Sequence, residues 1–124
     1  MEVIPFGTDA IDNILQQEPH RAEMLPFGAV LLDRQGNILK YNQAEGLIAG
    51  RDPSSVIGTN FFNEIAPCAK GKRFHGEFLK FASTGAVNTM FDYEFDYKMN
   101  RTKVRIHLKS AADGQTCWMF VKRF

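Results

Sequence analysis

The order of segments predicts an α+β fold built on one antiparallel sheet. Three observations carry that expectation: an early hairpin, a run of short helical pieces, and three strands at the end of the chain. The first late strand is the clearest. In Met90 to Met99, Phe91, Tyr93, Phe95, Tyr97 and Met99 fall on one face, and Asp92, Glu94, Asp96 and Lys98 on the other. Such alternation describes a half-buried strand with an aromatic inner face and a wet outer face. Strands grouped with one another, and helices segregated between them, give a central antiparallel sheet of five to six strands flanked by helices.

The elements follow in order. Residues 8–25 read as a small helical cap, with Ile11, Ile14 and Leu15 at helical spacing, Thr8 or Asp9 available to cap its start, and Pro19 to end it. Pro26-Phe27-Gly28 punctuates, so residues 1–25 form an N-terminal cap and residues 26–124 the core. Ala29 to Leu32 and Ile38 to Tyr41 are strands joined by the turn Asp33-Arg34-Gln35-Gly36-Asn37. Helical pieces follow at Gln43 to Ile48, Pro53 to Ile57 and Phe61 to Ala66, broken at Gly50, Gly58 and Pro67. A longer helix fits Phe74 to Ser83, with Gly85 as its terminator. Val104 to Leu108 and Thr116 to Lys122 complete the strands, separated by the Asp113-Gly114 turn. The helices are expected over one sheet face, with a pocket between that face and Cys68.

Composition narrows the function classes. At 124 residues the chain is a single domain; a chain of this size buries roughly two-thirds of its unfolded surface and needs no staples. A net charge of +1 gives no electrostatic reason to expect nucleic acid or an anionic membrane. The basic run Lys70-Gly71-Lys72-Arg73 reads as a solvated loop. Walker and dinucleotide glycine loops are absent, and no stretch approaches the roughly 18 apolar residues of a membrane span. Met1 to Gly7 has no signal-peptide pattern. The two cysteines, Cys68 and Cys117, form neither a Cys-x-x-Cys pair nor a zinc-spaced cluster with histidine. A cytoplasmic monomer without disulfides or metal is the expectation. The eleven phenylalanines either fill a core or wall a pocket for a flat conjugated ligand.

Two groups of residues could carry chemistry. In Asn60-Phe61-Phe62-Asn63-Glu64-Ile65-Ala66-Pro67-Cys68, proline stops an apolar helical segment and a soft nucleophile follows at once. Cys68 is open to three readings: a small buried hydrophobe, a catalytic thiol needing His75 or His107 as base, or an attachment point. His75, His20 and His107 are expected as solvated, surface and sheet residues. The second group is Tyr41 and Glu45, a phenol at a strand end and a carboxyl one helical turn later, able to converge. If both are buried, the carboxyl stays protonated, and the pair offers two donors suited to a phenolate oxygen. Arg51 could add positive charge nearby. Together these residues suggest a covalently attached, proton-sensitive group rather than a metal or nucleotide.

The chain resembles the photoactive yellow proteins, small bacterial blue-light receptors with the PAS fold. The resemblance runs from Met1-Glu2 with Phe6-Gly7 through Phe27-Gly28-Ala29, Gly36-Asn37-Ile38-Leu39, Tyr41-Asn42, Ala44-Glu45-Gly46 and Gly50-Arg51-Asp52-Pro53. It continues through Val56-Ile57-Gly58, Asn60-Phe61-Phe62, Ala66-Pro67-Cys68, Asn88-Thr89-Met90-Phe91 and Phe95-Asp96-Tyr97 to Phe120-Val121-Lys122-Arg123. The flavin-binding LOV type is disfavoured, because its Asn-Cys-Arg-Phe-Leu-Gln-like helix is missing. The resemblance implies a single PAS domain over residues 1–124 that senses light rather than turning over a substrate. It implies p-coumaric acid (4-hydroxycinnamic acid) on Cys68 as a thioester, with Tyr41 and Glu45 hydrogen-bonding its phenolate and Arg51 shielding the pocket. Phe61, Pro67, Phe95, Tyr97 and Met99 would surround the ring, Met99 at the position associated with fast thermal return. Blue light would isomerise the double bond, Glu45 would give its proton to the phenolate, and partial unfolding would signal to a downstream protein. Phe6 and Lys122 would hold the cap by ring–cation contact. In one departure, Ala49 stands where well-known members carry a hydroxyl that supports the tyrosine. The alternative is a ligand-free PAS interaction module.

Overall fold

The structure, a computed structural model, describes residues 4–66, 72–95 and 101–124. Five antiparallel strands form one sheet in the order β2-β1-β5-β4-β3. They are β1 (Gly28–Asp33), β2 (Ile38–Tyr41), β3 (Asn88–Phe95), β4 (Thr102–Ser110) and β5 (Thr116–Arg123). The fold class is as expected, and each predicted strand is present within a few residues of its predicted bounds. In β3, Phe91 and Phe95 are buried while Asp92 is exposed, so the alternation does set which face is wet. Its continuation through Tyr97 and Met99 lies outside the described residues.

Local chemistry explains the connections. The Asp33 carboxylate closes the first hairpin by accepting from the N–H groups of Gln35 and Asn37, both at 2.9 Å. Helices α2 (Gln43–Ala49) and α3 (Pro53–Val56) start at Asn42 and Asp52, whose side chains accept from Glu45 and Ser54 N–H. Gly50, at φ 69°, ends α2 in the left-handed region. A single π-helical turn, Phe61–Ile65, begins with reciprocal capping: Asn60 accepts from Phe62 and Asn63 N–H, and Glu64 accepts from Asn60 N–H at 2.7 Å. Helix α4 (Lys72–Thr84) buries Phe74, Phe78 and Phe81, a 3.6-residue stripe.

The cap departs from its sequence reading in two ways. Helix α1 (Ile11–Gln17) starts one or two residues late, with Ala10 at the cap position and no side-chain cap bond. Thr8 instead donates its hydroxyl to the Pro5 carbonyl at 2.6 Å. Pro19 both follows α1 and opens a 3₁₀ helix, Pro19–Met24, because proline fits a first helical turn as well as it prevents continuation.

The helices do not share one sheet face. Ile11, Leu15, Ala22, Leu25 and Phe27 pack with Ala29, Trp118 and Phe120 on one side of the sheet. Val30, Leu32, Cys117, Met119 and Val121, the alternate residues of the same strands, pack on the other side with Phe61, Phe74, Phe78 and Phe81. β1 and β5 are therefore apolar on both faces, and each face needs its own cover. Cys117 is a core residue, and burial pushes its thiol up to about 12. Among the described residues, no helix is long and apolar enough to cross a membrane.

Candidate functional site

The site is built where β2 runs into α2. Tyr41 is the last residue of β2, Asn42 caps the helix, and Glu45 lies in its first turn. Asn42 is buried and saturated. Its Oδ1 accepts from Ala29 N–H at 2.9 Å and Glu45 N–H at 3.0 Å, and its Nδ2 donates to the carbonyls of Ala22 at 2.8 Å and Phe27 at 3.1 Å. One amide thereby joins the cap, strand β1 and the helix start. Sequence reading noted Asn42 only as part of a cluster. An Asn ahead of an apolar helical run is the cap signal that could have marked it.

Tyr41 and Glu45 are only 4% and 3% exposed. Neither the Tyr41 hydroxyl nor Glu45 Oε1 has a hydrogen-bond partner among the described residues. Burial raises the Glu45 carboxyl from its ordinary 4.5 to about 8, so it is mostly neutral at neutral pH. Burial also raises the Tyr41 phenol, the Glu45 charge adds to that, and Arg51 opposes it. The Tyr41 phenol is thus within electrostatic reach of both Glu45 and Arg51. Both neutral side chains carry a proton to donate and have no acceptor among the described residues. A buried polar group left without a partner costs about 1–3 kcal/mol. Two such groups side by side mark a place for something to accept from them.

Arg51, half-buried just beyond the α2 C-terminus, donates from Nη2 to the Ile65 carbonyl at 3.0 Å. That bond holds the end of the π-helical turn, immediately ahead of Ala66. Ala49, the last residue of α2, is half-buried and brings no hydroxyl toward Tyr41.

The aromatic side of the region is continuous. Phe61 lies 5.1 Å from Phe62, 5.8 Å from Phe74 and 6.4 Å from Phe95, centroid to centroid, mostly edge to face. Phe74 also meets Phe91 at 5.3 Å and Tyr93 at 5.1 Å. Phe62, Phe74 and Phe91 were not singled out from sequence. The stripe Phe74, Phe78, Phe81 was the available signal. Pro67, Cys68, Tyr97 and Met99 lie outside the described residues.

Other expected contacts are placed differently. Phe6 packs edge-on against Phe27 at 5.3 Å and near His107 at 6.3 Å. Lys122 is exposed, and a ring–cation contact between Phe6 and Lys122 is not seen among the described residues. Phe6 has aromatic partners on the cap side, while Lys122 is free to stay hydrated. His75 is not fully solvated: its ring lies 4.8 Å from Phe62. His107 is buried, with Nε2 2.9 Å from Asn88 Oδ1 and Nδ1 without a partner among the described residues. His20 is exposed.

Comparison with known proteins identifies the family. The PAS fold family model matches residues 11–123. The chain is 74% identical over 123 residues to the photoactive yellow protein of Rhodobacter capsulatus, covering 99% of each. The chain belongs to the photoactive yellow protein family. It is also 71% identical to the family member from Cereibacter sphaeroides, again over 99% of each chain. Among solved structures, the photoactive yellow protein domain of the sensor histidine kinase Ppr from Rhodospirillum centenum matches with a TM-score of 0.77 and 37% identity. That match covers 82% of this chain and 95% of that one. Family membership thus falls on a chain whose buried Tyr41 and Glu45 already stand as unanswered donors.

Proposed function

We propose that this protein is a blue-light photoreceptor rather than an enzyme, carrying p-coumaric acid (4-hydroxycinnamic acid) as a thioester on Cys68. The observation that carries this reading is the pair of buried neutral donors, Tyr41 and Glu45, with no acceptor among the described residues. A phenolate oxygen is an acceptor that both can serve, and charge-assisted hydrogen bonds to it are stronger than neutral ones. The bound group supplies visible absorption and a double bond that light turns from trans to cis. Phe61 and Phe95, with Pro67, Tyr97 and Met99, would wall it, and Arg51 would provide positive charge that favours the anion.

Glu45 then has a particular burden. At rest its carboxyl holds its proton, as burial requires. Once that proton is given up, a carboxylate remains where its oxygen has no partner, at a cost of several kcal/mol in order of magnitude. That is a large share of the roughly 5–15 kcal/mol stability of a domain. The first turn of α2 is tied through Asn42 to Ala22 and Phe27 at the root of the cap. Relief by loosening of the cap is the proposed output, since the cap packs as a smaller cluster on its own face. Faster hydrogen exchange confined mainly to residues 4–25 under steady blue light is expected. Unchanged exchange there would sink the output step.

The decisive experiment mixes the purified apoprotein with activated p-coumaric acid, beside a Cys68→Ala control. A visible band that needs Cys68, bleaches under blue light and returns in the dark is the expected result. A well-folded protein without such a band would point to a ligand-free PAS interaction module. With alanine at 49, nothing of this helix end restrains the Tyr41 hydroxyl. A second, shorter-wavelength dark band from protonated chromophore is therefore expected, and a single band across the neutral pH range would count against it.

A further inference from the structure

Gly28 is the first residue of β1, paired with Val121 of β5 and buried. Its backbone is not in the left-handed region, so conformation alone does not call for glycine. Space does. A methyl group in place of its hydrogen would collide with Oε1 of Glu45 and stand 3.1 Å from both Cβ and Cδ of that side chain. Where another close glycine, Gly36, makes room for a Phe62 ring, Gly28 makes room for the one carboxyl to which the functional reading assigns a proton.

We infer that Gly28 is a positioning residue: the notch it leaves in β1 seats the Glu45 carboxyl and decides which way that carboxyl points. The inference rests on the reading of Glu45 as the proton donor of the site. Two further observations support it. The start of α2 cannot back away from β1, because Asn42 Oδ1 holds Ala29 N–H, next to Gly28, and Glu45 N–H together. And Oε1 of Glu45 has no hydrogen bond among the described residues to fix its direction. A side chain whose backbone is pinned and whose terminal oxygen is unbonded is oriented by the shape around it. Any larger residue at position 28 would turn the carboxyl out of its seat, toward Tyr41 or toward water.

The test is a double-mutant cycle in the apoprotein: Gly28→Ala, Glu45→Ala and the two combined, each unfolded in urea. It is paired with an infrared titration of the protonated carboxyl band, assigned by its loss in Glu45→Gln. Gly28→Ala is expected to raise the unfolding equilibrium constant about tenfold more in the parent than in the Glu45→Ala background, as residues in direct contact do. In Gly28→Ala the carboxyl midpoint should fall from about 8 toward its ordinary value, because a displaced carboxyl meets more water. If Gly28→Ala does not fold while the combined variant does, the clash is confirmed by rescue. A combined variant that also fails to fold would show that glycine serves the strand itself, overturning the inference. Equal penalties in both backgrounds, or an unmoved midpoint, would overturn it too. These readouts need no chromophore. A parent that never acquires a visible band would therefore sink the functional reading while leaving the cycle to judge Gly28.

Discussion

The two faces of the sheet solve the same covering problem with different chemistry. On the helix side, Phe61, Phe74, Phe78 and Phe81 close over Val30, Ile106 and Met119, and two of the polar side chains there, Tyr41 and Glu45, leave the Tyr41 hydroxyl and Glu45 Oε1 without a partner among the described residues. On the cap side the core is smaller, and its polar side chains are partly answered: Asp12 Oδ1 lies 3.0 Å from Lys109 Nζ and His107 Nε2 lies 2.9 Å from Asn88 Oδ1, while His107 Nδ1 has no partner among the described residues. Each face thus holds buried polar atoms without a hydrogen bond among the described residues, but on the helix side two of them, on Tyr41 and Glu45, fall within one helical turn. A larger aromatic layer covers the two donors, whereas the cap is the smaller cluster, the one whose loosening the proposed output requires. Asn42, bonded to both sides, is the hinge of the comparison.

The largest expected effect tests whether the helix side carries global stability. Phe74→Ala removes a fully buried ring that meets Phe61, Phe91 and Tyr93. It should cost about 4–5 kcal/mol in urea unfolding, the upper range for such truncations. A loss under about 1 kcal/mol would mean that this core repacks freely.

The next effect depends on pH. The unfolded chain ionises Glu45 near 4.5, while the folded carboxyl keeps its proton until about 8. The unfolded state therefore binds fewer protons in this window, so stability falls as pH rises across it. Glu45→Gln lacks that slope. The apoprotein of this variant should gain on the parent by roughly 4 kcal/mol between those limits, at about 1.4 kcal/mol per unit. Parallel stability curves for the two proteins would show that Glu45 is not desolvated as its burial implies.

On the cap side, Leu15→Ala should cost about 2–3 kcal/mol locally. Hydrogen exchange should rise in residues 4–25 and leave α4 and β4 protected. Uniform acceleration would show that the two faces unfold as one unit. The smallest effect is expected from Asp12→Asn, which breaks the pair with the partly exposed Lys109. A loss of about 2 kcal/mol, less than for a fully buried pair, should appear. No change in thermal unfolding would mean that the pair contributes nothing net to holding the cap.

Much of the fold was legible in the chain because it depends on local periodicity and punctuation. The alternation of Phe91, Tyr93 and Phe95, the Asp33 to Asn37 turn and the glycine stops at Gly50 and Gly85 all act over a few residues. That Tyr41 and Glu45 stand one helical turn apart, at the end of β2 and in the first turn of α2, was legible for the same reason. What spacing could not supply was burial. Whether Glu45 is an ordinary surface acid or a neutral buried donor depends on β1 passing beside it. Gly28 read as punctuation for the same reason, since its role lies in a side chain seventeen positions away. The cap's place on the opposite face was likewise hidden: β1 and β5 are apolar on both sides, and a continuous apolar run does not say what will cover which face. Thr8 and Asp9 looked like helix caps, yet the cap's own turns placed the helix start at Ile11.

The sequence by itself determined the strands, the helical pieces and the membership of the family, and it nominated Tyr41 and Glu45 as candidates, because residue type and near-neighbour spacing carry those readings. Only the tertiary structure decided that Asn42 binds cap, strand and helix together, that Phe6 meets Phe27 rather than Lys122, and that Gly28 gives Glu45 its seat. Those are contacts between distant segments, and their energies come from desolvation and excluded volume, which exist only once the chain has closed on itself.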